Sequence, residues 1–191
     1  MPPNGNACRA DCTFCGDAIV NGPPSTETCD DGNTNNRDSC QNSCLGRFRR
    51  DPGSIVFHGS RRPTDRLKVN GVVVTRLPMS TDGLVITVRL RNANGIIYET
   101  NLPGESLVRS GHQLKFRDRN APRATAGGLA LFRISPHGND GDQVQVEAYG
   151  NLSTATLPDM TIEILFDSAI YQNSATWTPT TTGWHLVDHE R

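Results

Sequence analysis

Cysteine vanishes from this 191-residue chain after Cys44, and lysine is almost missing, with 17 Arg against Lys68 and Lys115 alone. The lysine shortage has no evident physical cause. Large apolar runs are absent too: none approaches the ~18 residues of a membrane-spanning helix, so no membrane insertion is expected. Nor is there an excess of positive charge. The formal net charge is −1 and the isoelectric point about 6.5, so no global basic field points to nucleic acid. The first thirty residues lack the charged start and apolar stretch of a secretory leader. Motifs of catalysis are missing as well: no G-x-S-x-G, H-E-x-x-H, GxxxxGK[ST] or GxGxxG occurs, and the chain reads as non-catalytic.

What is present falls into two parts. The six cysteines, Cys8, Cys12, Cys15, Cys29, Cys40 and Cys44, crowd into one quarter of the chain. The large apolar side chains there are few: Phe14, Ile19, Val20, Leu45 and Phe48. They cannot offset the entropy of ordering about fifty residues. Cross-links worth ~2–4 kcal/mol each, or a metal, must supply the rest. An even number of clustered cysteines in turn-rich sequence reads as a disulfide framework. Zinc is the rival. Cys12 and Cys15 are spaced C-x2-C, but neither a second C-x2-C nor an H-x3-H follows nearby. Disulfides place the chain in an oxidising compartment, extracellular or at the cell surface. The missing leader then implies removal of an export signal or a start inside a longer protein.

The cysteines belong to a pattern. Cys15-Gly-Asp-Ala-Ile-Val is followed by Glu27-Thr-Cys29-Asp30-Asp31-Gly32-Asn33-Thr34 and then Asp38-Ser39-Cys40-Gln-Asn-Ser-Cys44. This resembles the Myxococcus cysteine-rich repeat, a module of secreted and cell-surface proteins, mostly bacterial. Ala18, Arg37 and Ser39 stand where that family usually has Gly. Residues 5–12 look like the tail of a preceding copy, because Cys8 and Cys12 repeat the C-x3-C of Cys40 and Cys44.

Inside the repeat, Asp30, Asp31, Asn33, Asn35 and Asp38 lie within nine residues, with Asp17 a further oxygen donor. Calcium takes six to eight oxygen ligands and is wrapped by short acidic loops with Gly at the turn, so it is the candidate cation. The same residues also suit Asx turns without any ion. The spacing is not that of an EF-hand.

From Gly53 onward the pattern changes to short alternating runs. Ile86, Val88 and Leu90 alternate with Thr87 and Arg89; Val144, Val146 and Ala148 alternate with Gln145 and Glu147; Ile162, Ile164 and Phe166 alternate with Glu163 and Leu165. Asn94-Gly95 reads as a hairpin turn, and Gly128–Ile134 as a central strand. Nine or ten strands are expected, with Trp177 and Trp184 in the last two, and no stretch suits a helix. The fold class is mostly β. A small disulfide-rich module (1–46) leads through a hinge (47–53) to an antiparallel β-sandwich (54–191), jelly-roll or immunoglobulin-like.

Chemistry is sparse in the second part. Glu99, Glu147 and Glu163 are the carboxylates a glycosidase would use, and their strand positions suggest solvated faces. His185 and His189 form H-x3-H, but on a strand they stand too far apart for one ion. Trp177, Trp184 and Tyr171 fit either a sugar-stacking platform or the core. The leading reading is a non-catalytic structural or interaction protein, a subunit of a filament, layer or adhesive appendage that polymerises through its own copies. Two strands are candidate donors for exchange between copies: Ser54, Ile55, Val56 and Phe57, and Trp184, His185, Leu186 and Val187. The alternative is a carbohydrate-binding module of a larger secreted protein, with glycans as its partner.

Overall fold

The computed structural model of the chain describes residues 46–59, 64–73, 81, 83–136, 141–167 and 169–186, without the side chains of 46, 47 and 49–52. Twelve strands form among them. In chain order they are β1 (Gly46–Val56), β2 (Asp65–Val73), β3 (Val85–Asn92), β4 (Gly95–Pro103), β5 (Val108–Ser110), β6 (Gln113–Arg117), β7 (Gly128–Pro136), β8 (Asp142–Gly150), β9 (Asp159–Phe166), β10 (Ala169–Thr176), β11 (Thr178–Thr180) and β12 (Gly183–Leu186). Two short 3-10 turns, Gly104–Ser106 and Ala121–Arg123, are the helical pieces described.

Period-2 alternation is why these segments pair as half-buried strands. In β3, Ile86, Val88 and Leu90 are fully buried while Thr87 and Arg89 are half-exposed. In β8, Val144, Val146 and Ala148 point inward and Gln143, Gln145 and Glu147 outward. The first sheet has the order β4-β3-β9-β10, and the second runs β5-β6-β7-β8-β2-β1-β12-β11. Their inner faces share one core. Phe132 of β7 meets Phe166 of β9 edge-on at 6.4 Å between ring centres, and Phe166 meets Tyr171 of β10 at 6.0 Å. The first of these edge-to-face contacts crosses the layers and fixes the two sheets against each other, and the second lies within the first sheet. The architecture is therefore the expected β-sandwich.

β1 joins the sheets. Gly46 and Arg47 pair in parallel with Tyr171 and Gln172 of β10, while Phe48 onward pairs antiparallel with β2. The β1–β2 register shifts between Asp51 and Ser54, where Pro52 has no N–H to give. Residues 47–53 thus lie within this strand. Trp177 sits between β10 and β11, 1% exposed, with its backbone N–H donating to Pro158 at 2.8 Å.

The β3–β4 turn falls one residue earlier than Asn94-Gly95 suggests. Asn92 pairs with Gly95, which leaves Ala93 and Asn94 as the loop. The Asn92 side chain decides this: Oδ1 accepts the Asn94 N–H at 2.9 Å and Nδ2 donates to Thr154 O at 3.1 Å. β4 carries a bulge immediately after, which leaves Ile96 57% exposed.

Candidate functional site

The cysteine framework, the acidic loop Asp30–Asp38 and Val187 lie outside the described residues. The rest of the sequence candidates separate into core, sheet interior and surface. Trp177 and Tyr171 are buried, and Trp184 is half-buried with Nε1 donating to Ala155 O at 2.6 Å. These three rings therefore form no exposed stacking platform. Ser54, Ile55 and Val56 are hydrogen-bonded on both sides, to β2 at Lys68, Leu67 and Arg66 and to β12 at His185, Trp184 and Gly183. Phe57 packs against the core, and its N–H donates to Thr182 O at 2.7 Å. Leu186 is 1% exposed, whereas His185 faces outward.

The three carboxylates fare differently. Glu99 is exposed in β4, and Glu147 accepts from the Tyr149 hydroxyl at 2.8 Å. Burial, with the Glu147 carboxylate beside it, pushes that phenol above its ordinary value. Glu163 departs from the expectation of a solvated face, being only 6% exposed.

The reason is the outer face of the first sheet. Register aligns Glu99, Arg89, Glu163 and Gln172 in one row across β4, β3, β9 and β10. The next row holds Ile96, Arg91, Thr161 and Ser174. Arg89 Nε donates to Glu99 at 2.5 Å and its Nη1 to Glu163 at 3.1 Å; Arg91 Nε donates to the other Glu163 oxygen at 2.6 Å. The two guanidiniums lie over the carboxylate and exclude water from it. The Glu99 hydrogen bond raises the Arg89 guanidinium further above its already high value; burial opposes this, and the Glu163 hydrogen bond adds to it. The four charges cancel. The carboxylate of Glu163 is thus engaged on both oxygens, which suits it to holding strands together rather than to general acid or base work.

Beyond Arg91 the face opens into a shallow groove of about 380 Å³ across β3, β9 and β10. Thr161 and Ser174 hydroxyls hydrogen-bond at 2.7 Å on one wall, and Thr176 donates to Asp159 Oδ1 at 2.6 Å on the other. Ala93 supplies exposed apolar surface beside them, while Met160, 1% exposed, and Ala175 pack into the core beneath. The sequence hid this assembly. Its signal was polar residues at every second position in each strand, 87/89/91, 159/161/163 and 172/174/176, but their convergence needs the strand order.

Residues 2–45 match the model of a family described as a domain of unknown function (DUF4215). The matched span covers the cysteine-rich segment, including all six cysteines. No curated protein and no solved structure matches the chain.

Proposed function

We propose that the chain is a non-catalytic structural or interaction protein that works outside the cell or at its surface, as a subunit of a filament, layer or adhesive appendage. The supporting observation is how the β11–β12 hairpin is attached. Among the described strands it pairs with β1 alone, through the four residue pairs of Gly53–Val56 with Gly183–Leu186. Releasing the hairpin takes rupture of that short ladder, of the Phe57 N–H bond to Thr182 O and of the Trp184 bond to Ala155, with withdrawal of Leu186 from the core. The vacated edge of β1 then matches the hairpin of a second copy in sequence and register. Such exchange between identical copies is a low-cost route to assemblies.

The N-terminal module is read as a repeat of the Myxococcus cysteine-rich type, closed by disulfides and holding calcium at Asp30, Asp31, Asn33, Asn35 and Asp38. Its family match over residues 2–45 and its Cys29-Asp30-Asp31-Gly32-Asn33-Thr34 core support a compact, protease-resistant connector. Negative-stain imaging and light scattering of the disulfide-intact chain test the proposal. Polymers are expected; a chain that stays monomeric at ~1 mM overturns it, because useful self-association reaches at least that affinity.

A further inference from the structure

We infer that the groove on the outer face of the first sheet binds a neutral, hydroxyl-rich ligand, a saccharide of one or two rings. Its volume of about 380 Å³ lies at the small end of the ~300–1,000 Å³ typical of ligand pockets. Its polar lining is mixed in a way that suits vicinal diols. A sugar hydroxyl both donates and accepts. Asp159 offers acceptors, Arg91 offers donors on a side chain 43% exposed, and Ser174, Thr161 and Thr176 do both. The methyl of Ala93, exposed at the β3–β4 turn, offers an apolar contact to the C–H face of a ring.

Charge selects against other ligands. Arg91 is spoken for by Glu163, and with Arg89 and Glu99 that quartet sums to zero. Asp159 is the groove's remaining carboxylate, so an anion meets repulsion. A bare cation meets one carboxylate only, and no group of three His, Cys, Asp or Glu that could hold a metal exists among the described residues. The hydroxyls are already set in pairs, Thr161 with Ser174 and Thr176 with Asp159. The lining residues stand mainly on paired strands, so little order has to be imposed on binding. The site does not depend on self-association, because β3, β9 and β10 remain together whether or not the terminal hairpin exchanges.

The disulfide-intact chain is titrated with maltose, cellobiose, chitobiose and xylobiose, with glucuronic acid as the anionic probe, by calorimetry and saturation-transfer NMR. At least one neutral disaccharide is expected to bind with a dissociation constant of order ~1 mM. Asp159→Asn and Ser174→Ala, both at exposed positions, should each weaken that binding by ~5–10-fold, the loss expected for one hydrogen bond, while the chain stays fully folded at the temperature of the titration. Failure of every neutral probe at ~20 mM overturns the inference. So does binding undiminished by either substitution, or binding confined to glucuronic acid.

Discussion

Arg91 and Glu163 are joined at 2.6 Å although they are not opposite one another in the sheet: Glu163 faces Arg89 across the ladder, and Arg91 reaches it along the diagonal. Each carboxylate oxygen therefore has its own guanidinium. The side chain of Glu163 is 8% exposed and those of Arg89 and Arg91 are 30% and 43% exposed. One end of each pair is buried and the other is wet.

This mixed burial sets the size of the effect. Removing Glu163 leaves two cations that can still reach water, so Glu163→Ala should cost about 1–3 kcal/mol rather than the larger loss of a fully buried pair. A double-mutant cycle with Arg91→Ala should give a coupling near 1 kcal/mol that survives 0.5 M salt, with salt concentration changing it far less than it changes the exposed Arg89–Glu99 pair. A coupling indistinguishable from zero would mean that the diagonal contact holds no strands together.

Gly104 is required by close approach. A β-carbon there would lie 1.8 Å from Thr81 O, a backbone atom that cannot swing aside. Thr81 Oγ1 donates to Gly104 O at 2.9 Å, and Gly104 N–H donates to Leu84 O at 2.8 Å, so both sides of the contact are pinned. Gly104→Ala should lower stability by roughly 2–4 kcal/mol, within the range of severe overpacking. Thr81→Val, which loses the buried hydrogen bond but keeps the shape, should cost about 1–2 kcal/mol. Urea midpoints give both numbers, and a neutral Gly104→Ala would show that the 3-10 turn shifts freely.

Tyr98 supplies a pH signature. Burial pushes its phenol up to about 12. The protonated form is favoured by folding, so its contribution is complete below the unfolded value of about 10 and is lost as pH rises toward 12. Stability should fall across that window by an amount on the order of 2 kcal/mol, and Tyr98→Phe should flatten the fall. The comparison of the two chains by denaturation at pH 9, 10 and 11 checks it. Parallel curves would assign the alkaline loss to other groups.

Strand alternation made the sandwich legible in advance, because burial on one face writes itself into sequence at period 2. Ile86, Val88 and Leu90 could be assigned to the core from spacing alone. The partnership of Glu163 could not. Residues 89 and 163 are brought together by the β3–β9 ladder, and nothing local encodes that pairing. Trp177 was ambiguous for a similar reason: a Trp between two strands packs inward or outward depending on what Gly53 leaves open, and the Trp177 ring lies 3.3 Å from where a β-carbon on Gly53 would be. The turn falls at Ala93–Asn94 although Asn-Gly is a strong hairpin signal, because the Asn92 side chain outcompetes it by satisfying two backbone groups.

For the N-terminal module, thiol titration of the denatured, unreduced chain should find none of the six cysteines free. Replacing Asp30 and Asp31 by Asn should weaken calcium, since fewer charged oxygens then compensate the ion. Chelator should make this module protease-sensitive while the β-sandwich resists. Two or more free thiols, or stoichiometric zinc, would sink the disulfide framework, and identical proteolysis with and without chelator would remove the calcium.

The terminal hairpin gives the sharpest test of assembly. Exchange must break the Gly53–Val56 ladder and pull Leu186, 1% exposed, out of the core, together with the Trp184 bond to Ala155. Those losses are recovered when a second copy supplies the same hairpin, so exchange is slow but nearly neutral in free energy at equilibrium. Gly183 makes the seat specific: its φ is +151°, and a β-carbon would fall 2.0 Å from Ile55 O. Deleting residues 178–191 should therefore abolish polymers, and a synthetic peptide of that sequence should bind the shortened chain. Truncation alone risks unfolding, because it bares Ile55, so a lock in the full-length chain is the better variant. Ser54 and His185 face each other across the ladder, and Ser54→Cys with His185→Cys would tie the hairpin to its own β1. The locked chain should remain a monomer with an unchanged sandwich, and reduction of that bridge under conditions that spare the N-terminal module should restore polymers. Polymers that form from the locked chain as readily as from the native one would exclude hairpin exchange and move the contact between copies to another edge, with β4 and its exposed Ile96 next in line.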